Sequence, residues 1–261
     1  MDGTAAAVAG SRRAPVRRVF LEHPEAGPAL VIATVWMMLV FAPAAHIRIP
    51  HGEMVPTTSQ TAGVNIWRMA LRERLPSWML MTIAMMGPAA LAGLRHTALN
   101  SLNWRRGRAM TEFAAGYLAV WAAFGLAGLT VTAVIPHSVG WNATAIALAA
   151  ACAWQLTPLK RRYLRDCHRS VPLPLRGWRA ERSAVRFGVR IGVACLGSCW
   201  CFMLVMAVVP GTHILWTAAL TGLITVERYV ARPRRATRLV ALSLGVAAAC
   251  ALGAVLASAG R

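Results

Sequence analysis

The chain has 261 residues, of which 57% are hydrophobic and only 14% are charged, and its mean hydropathy is +0.52. Soluble chains carry about 25% charged residues, so this composition excludes an ordinary soluble domain and favours an all-α, polytopic membrane protein. In a soluble protein, a net charge of +19 would suggest nucleic-acid binding. Here the basic residues lie between apolar runs without a nucleic-acid-binding motif, so we expect anionic lipids at the cytoplasmic face as partners and no nucleic acid.

Seven apolar runs predict about seven transmembrane helices. A basic segment, 1–27, precedes them, and 28–261 is predicted to form a single transmembrane domain. Each run approaches or exceeds the roughly 20 residues that cross a ~30 Å hydrocarbon core. The predicted spans cover about 28–45, 77–94, 113–135, 140–157, 189–209, 212–230 and 238–259.

The connections between these spans predict the orientation of the chain. With seven spans, 23 of the 28 Lys and Arg residues fall on the side of the amino terminus. The cytoplasmic side of a membrane protein carries the excess of basic residues. We therefore expect a multi-pass cell-membrane protein with its amino terminus in the cytoplasm and its carboxyl terminus outside.

The fifth span carries a ladder of sulfur atoms. Cys195, Cys199, Met203 and Met206 follow one another at intervals of four, four and three residues. Side chains at these intervals share one face of a helix. Thiolate and thioether ligands select Cu(I) and other soft ions, so this face is a candidate metal site. The alternative is that these residues are ordinary apolar packing.

The second span offers further sulfur at matching depth. It runs antiparallel to the fifth span, which places Met85 level with Cys199 and Met81 level with Met203. Met86 lies beside Met85. Gly87 and Gly197 lack side chains, which predicts a close approach of the two helices.

Polar residues mark two other candidate sites. Glu227 lies in an apolar run, where a carboxylate is costly and suggests function. We expect it to form an inner polar site with Gln155, or else to pair with Lys160 or Arg228. Four histidines near the outer boundary are candidates for capturing a metal at the mouth. They are His46, His51, His137 and His213.

Several of these motifs together resemble the DUF2182 family of bacterial integral membrane proteins, which are predicted metal-binding proteins of unknown function. The matching stretches are Trp78-x-x-Met81-x-x-Ala84-Met85-Met86-x-Pro88, Gly116-Tyr117-x-x-x-Trp121, Gln155-x-Thr157-Pro158-Leu159-Lys160 followed by Cys167, Cys195-Leu196-Gly197-x-Cys199-Trp200, and Trp216 with Glu227. The resemblance covers roughly 78–228 and implies a bacterial inner-membrane protein that binds a metal. Ser198 and Tyr163 stand where the family often has cysteines.

The function predicted from the sequence is the binding or movement of a soft metal ion, copper first, without catalytic residues. Two alternatives stay open: an accessory subunit of a membrane complex with a membrane-protein partner, or a membrane enzyme that uses Glu227 and Lys160 on a lipid-like substrate. The predicted metal ligands are Cys195, Cys199, Met203, Met81, Met85, Met86, Glu227 and Gln155.

Overall fold

A computed structural model describes residues 23–41, 72, 74–134, 141–209, 213–229 and 233–259. Helices account for nearly all of this part of the chain, and no strand occurs in it. The α-helices are α1 (Ala26–Phe41), α2 (Leu75–Leu99), α3 (Arg106–Val134), α4 (Trp141–Leu156), α5 (Pro158–Asp166), α6 (Gly177–Val208), α7 (His213–Tyr229) and α8 (Pro233–Ala259), and a 3₁₀ turn, Asn103–Arg105, precedes α3. The all-α fold class is therefore confirmed.

A helix lies at each of the seven predicted spans, but the helices differ in length. Four stretches are long and apolar enough to cross a bilayer: Leu75–Leu99, Asn103–Gly128, Gly177–Val208 and Thr237–Leu256. The helices α1 and α4 have 16 residues each and α7 has 17. At 1.5 Å per residue they reach only about 24–26 Å, which falls short of a typical hydrocarbon core. The protein is a helical membrane protein, and the count of seven spans stays a prediction.

Local sequence signals explain where the shorter elements begin. The hydroxyl of Thr157 caps α5 by accepting a hydrogen bond from the backbone N–H of Lys160, and Pro158 occupies the first turn. Proline suits this position because its missing N–H would have no partner there. Gly177 begins α6 with a φ of 75°, a conformation that favours glycine. These signals fix α5 as a short basic helix between α4 and α6.

The helices α3 and α6 form the tightest crossing in the bundle. A Cβ atom on Gly188 would collide with the carbonyl oxygen of Phe113, and one on Gly116 would collide with that of Val185. Small residues of this kind let two helix backbones touch. The glycines predicted to bring α2 and α6 together act elsewhere, because Gly87 faces Ile32 of α1 and Gly197 faces the ring of Tyr163. That part of the sequence prediction is wrong.

The outward faces of the helices are apolar. Large side chains such as Leu30, Ile146, Leu215 and Leu242 are more than half exposed. A soluble protein would bury such residues, whereas a bilayer covers them with hydrocarbon. The arrangement therefore agrees with the apolar composition of the chain, while several polar and sulfur-bearing residues, such as Gln155, Lys160, Cys195 and Met86, are buried inside.

Candidate functional site

Two cysteines of α6 and one methionine of α2 form a buried sulfur cluster. Cys195 Sγ lies 3.9 Å from Met86 Sδ. Cys199 stands one turn beyond Cys195, and the two thiols interact. The exposed fractions are 0% for Cys195, 0% for Met86 and 2% for Cys199. We call Cys195, Cys199 and Met86 the sulfur cluster.

Two hydroxyl groups border the sulfur cluster. The Tyr117 hydroxyl of α3 lies 3.1 Å from Cys195 Sγ and 3.3 Å from the carbonyl oxygen of Met86. Ser198 donates to the carbonyl oxygen of Cys195 at 2.9 Å, and its Oγ lies 3.3 Å from Cys199 Sγ. Because the Tyr117 hydrogen can point to either acceptor, it can turn toward Cys195 when that sulfur becomes a thiolate.

Arg228 of α7 brings a positive charge to the same region. Its Nη1 donates to the carbonyl oxygen of Ala89 at 2.9 Å, and its Nη2 donates to Cys167 Sγ at 3.0 Å. It also interacts electrostatically with Cys195 and Cys199. In the part of the chain that the structure describes, Arg228 is not ion-paired with a carboxylate. A guanidinium keeps its charge in proteins, so a permanent cation stands beside the thiols.

Cys167 lies just after α5, outside the membrane-spanning helices. Burial raises the pKa of its thiol to about 11, although the nearby Arg228 guanidinium acts in the opposite direction. The hydrogen bond that Cys167 accepts from Arg228 connects it to the region of the sulfur cluster. The thiol is therefore protonated at neutral pH when no metal is bound.

A second buried cation, Lys160, has a carboxylate partner. Lys160 Nζ lies 2.7 Å from Glu227 Oε2, and the side chains are 0% and 2% exposed. The ammonium group also sits 5.0 Å from the ring centre of Phe202. Lys160 interacts electrostatically with Cys199, so this ion pair also lies close to the sulfur cluster.

Gln155 and Glu227 are both buried, as an inner polar site requires. Each leaves one oxygen, Gln155 Oε1 and Glu227 Oε1, without a hydrogen-bond partner among the described residues. The direct contact of Glu227 is Lys160, which was the alternative weighed from the sequence. A joint site with Gln155 remains a prediction.

The other predicted sulfur ligands occupy the same apolar core as the cluster. Met85 and Met203 are buried, whereas Met81 is only partly buried. Met206 lies further along α6, where its Sδ is 4.0 Å from the Thr217 hydroxyl. On α2 the sulfur atom beside Cys195 is that of Met86, which the sequence also named as a ligand, whereas the pairing of Met85 with Cys199 stays a prediction.

The histidine site falls mostly outside the described residues. His46, His51 and His137 are not among them, and of His213 only the backbone at the start of α7 is described. Within the described ranges, no three His, Cys, Asp or Glu side chains converge closely enough to hold a metal ion. If a metal on the two thiols of the sulfur cluster has a third sulfur ligand, the nearby thioether of Met86 can supply it.

Sequence reasoning missed Arg228, Tyr117 and Cys167 as site residues. Arg228 follows Glu227 in the same apolar run, and the rule that marks intramembrane charges as functional applies to both. Tyr117 lies within a stretch that carries the family resemblance, but a tyrosine in an apolar helix gives no signal of its hydrogen-bond partner. Cys167 lies in a basic connection, where nothing in the sequence shows that it folds back against α7.

Comparison with known proteins identifies the family. Residues 75–251 match the model of the PpoB2 family, which is described as a copper chaperone. Neither the curated proteins nor the solved structures contain a match to the chain. The match spans the sulfur cluster, Cys167, Arg228 and the Lys160–Glu227 pair, and it supports the resemblance drawn from the sequence. The chain belongs to the PpoB2 copper-chaperone family, and its function is copper-related and membrane-associated.

Proposed function

We propose that this protein holds Cu(I) as its cargo on the sulfur cluster, with Cys195 and Cys199 as thiolate ligands and Met86 as a thioether ligand. Soft sulfur ligands in a low-coordinate arrangement suit Cu(I) and suit Mg²⁺ or Ca²⁺ poorly. The family description points to the same metal.

The charge balance around the cluster is the observation that carries this proposal. Cu(I) bound by two thiolates has a net charge of −1, which a membrane interior tolerates only beside a cation. Arg228 supplies that cation, because its interactions are with thiols and a carbonyl oxygen. Lys160 is neutralised by Glu227 and needs no further anion.

Protons control the loading of such a site. A thiol in an apolar environment stays protonated without metal, and Cu(I) displaces its proton on binding. Tyr117 then donates its hydrogen to the Cys195 thiolate, which stabilises the loaded state. Cu(I) binding is therefore expected to release protons and to strengthen as the pH rises.

The Lys160–Glu227 pair is not part of the ligand set in this proposal. It joins α5 to α7 and holds the basic connection against the bundle. A lipid-like substrate would have to reach a lysine and a carboxylate that are buried and bonded to each other, so the enzyme alternative has no support here. The amino-terminal side carrying most basic residues is proposed to face the cytoplasm and its anionic lipids.

The test uses two adjacent methionines as a matched pair. Met85 and Met86 are both 0% exposed, but only Met86 has its Sδ near Cys195 Sγ. In protein purified into lipid nanodiscs, competition with a chromogenic Cu(I) chelator is expected to show about one Cu(I) ion per chain. Met86→Leu should weaken Cu(I) binding, whereas Met85→Leu should bind as the parent does.

Replacing both cysteines of the sulfur cluster is expected to have a larger effect on Cu(I) binding in the same experiment. Cys195→Ser combined with Cys199→Ser should abolish high-affinity Cu(I) binding, and Cys250→Ser, at an exposed position of α8, should not. Helical circular dichroism and elution volume check that each variant is folded. Parental Cu(I) binding by the folded double variant would refute the proposed site.

A further inference from the structure

A cavity of about 400 Å³ opens on the side of the bundle where α2, α6 and α7 meet the connection after α5. Its lining includes His96, Cys167, His168, Arg169, Arg228 and Tyr229. We call it the basic-side pocket. Arg228 is shared by the pocket and the surroundings of the sulfur cluster, so the two are adjacent.

Cys167 is the soft donor that the pocket offers. The ring nitrogens of His168 face the carbonyl oxygens of Leu164 and Arg228, at 2.8 and 3.1 Å. Those of His96 face the carbonyl oxygen of Val171 at 3.1 Å and the amide nitrogen of Asn100 at 3.3 Å. The ring nitrogens of both imidazoles are thus engaged by the fold. Cys167 Sγ accepts a hydrogen bond from Arg228 and, as a sulfur with further lone pairs, can still bind a metal brought into the pocket.

The charged residues that line the pocket indicate the charge of the molecule that it binds. Arg169 and Arg228 line it, and no Asp or Glu is among its lining residues. Asp166 lies 3.7 Å from Arg169, but this contact is at the solvent-exposed edge. A cavity of this size takes a small molecule rather than a protein domain. The ligand that complements this pocket is a small molecule with carboxylates, which carries the metal bound to its sulfur atom.

From this geometry we infer that the basic-side pocket receives Cu(I) from a small anionic thiol, and that Cys167 passes the ion to the sulfur cluster. This inference rests on the proposed function. Arg228 Nη2 lies 3.0 Å from Cys167 Sγ, and the same guanidinium interacts electrostatically with Cys195 and Cys199, which places Cys167 beside the receiving ligands.

The transfer is a ligand exchange without a redox step. The Cys167 sulfur forms a bond to Cu(I) while one bond between Cu(I) and a carrier thiolate breaks. The proton of Cys167 moves to the departing carrier thiolate, which leaves as a thiol. In the second exchange Cys199 binds Cu(I) and gives its proton to the Cys167 sulfur as that bond breaks. Cys195 binds in the same way and gives its proton to the remaining carrier thiolate, which leaves as a thiol, and copper remains Cu(I) throughout.

The experiment compares two carriers on the full chain in nanodiscs of neutral phosphatidylcholine. Cu(I) is supplied as its complex with glutathione, which is anionic, or with 2-mercaptoethanol, which is neutral. Rapid desalting followed by elemental analysis gives the initial rate of transfer, and long incubation gives the final copper content. The rate reports on the pocket, and the final content reports on the sulfur cluster.

Three variants separate the contributions. Cys167→Ser is expected to slow transfer from both carriers by about tenfold or more, because a hydroxyl is a poor Cu(I) ligand. Arg169→Gln, at an exposed position that leaves the fold intact, is expected to slow transfer from glutathione by about two- to fivefold and to leave 2-mercaptoethanol unaffected. Cys250→Ser should match the parent with both carriers.

The outcomes distinguish the two proposals. Parental transfer rates in Cys167→Ser, or equal effects of Arg169→Gln on both carriers, would overturn the inference about the pocket while the final copper content upholds the sulfur cluster. A parent protein that takes up no copper after long incubation would refute the sulfur cluster and the pocket together.

Discussion

The two buried cations of this bundle, Lys160 and Arg228, are compensated in different ways. Lys160 contacts the carboxylate of Glu227 and is satisfied within the fold. Arg228 contacts a carbonyl oxygen and a thiol, and two further thiols lie within its electrostatic reach. The charge of Lys160 is therefore balanced by Glu227 without a bound metal. Among the described residues no carboxylate pairs with Arg228, and in the proposed site the thiolates formed on Cu(I) binding supply the balancing negative charge.

Removing the carboxylate of the Lys160–Glu227 pair is expected to have the largest effect, a loss of stability of the folded protein. Glu227→Ala leaves Lys160 buried without an anion, which destabilises proteins by about 3–5 kcal/mol. Thermal unfolding in detergent should show a large drop in midpoint for the metal-free protein. The double variant Lys160→Met with Glu227→Leu should recover most of it, because an apolar pair of similar volume needs no compensation. A Glu227→Ala protein as stable as the parent would contradict the assigned role.

Removing the other cation should affect copper more than stability. Arg228→Gln is expected to weaken Cu(I) binding about tenfold or more, because a charge near the site in a low-dielectric interior is lost. Arg228→Lys keeps the charge and should bind with intermediate affinity. Chelator competition measures the affinities, and thermal unfolding of the metal-free proteins should show a smaller drop than for Glu227→Ala. If Arg228→Gln binds copper like the parent, the two cations do not differ as described.

The hydroxyl beside the sulfur cluster should contribute a smaller share. Tyr117→Phe removes a donor 3.1 Å from Cys195 Sγ and retains the ring. A hydrogen bond to a charged acceptor contributes about 1.5–3 kcal/mol, which is a roughly 10- to 140-fold change in affinity. The loss in Tyr117→Phe should lie at the low end, about 10-fold, because the hydroxyl also has the Met86 carbonyl oxygen as an acceptor. Tyr229→Phe serves as the control, because the Tyr229 hydroxyl donates to the carbonyl oxygen of Pro88 instead. Equal affinities in Tyr117→Phe and the parent would remove Tyr117 from the site.

The smallest expected effect is the pH dependence that Cys167 gives to the stability of the metal-free protein. Its pKa of about 11 is raised above that of a free thiol, so the neutral form is favoured by folding. The corresponding stability is present below the pKa of the unfolded chain, about 8.5, and is lost as the pH rises through about 11. Peptide-level mass spectrometry should show slow alkylation of Cys167 at pH 8 and a rate that still increases toward pH 11. The same peptide in denatured chain should reach its maximal rate near pH 9–10, and an identical profile in folded protein would contradict the burial of this thiol.

Much of the fold follows from composition and periodicity. Long apolar runs specify helices, and a helix lies at every predicted span, although only four of the stretches have the length and composition to cross a bilayer alone. The short α5 and the start of α6 lie between the predicted spans 140–157 and 189–209, where the apolar pattern predicts no helix because basic residues interrupt it. The tryptophan Trp78 shows the same limit: it has the character of an interfacial residue, but its indole donates to the carbonyl oxygen of Trp121 in the core.

The sequence by itself determined that this is a helical membrane protein. Helical spacing also determined that Cys195, Cys199, Met203 and Met206 share one face of α6, and all four side chains are buried. It could not choose between Met85 and Met86, because neighbouring residues of a helix point about 100° apart and only packing sets the rotation of α2. Only the tertiary structure decided that Met86 lies against Cys195, that Lys160 is the partner of Glu227, and that Arg228 reaches Cys167. Those contacts join residues more than 60 positions apart in the chain. Helical periodicity fixes directions within one helix, whereas contacts between distant helices depend on how the whole bundle packs.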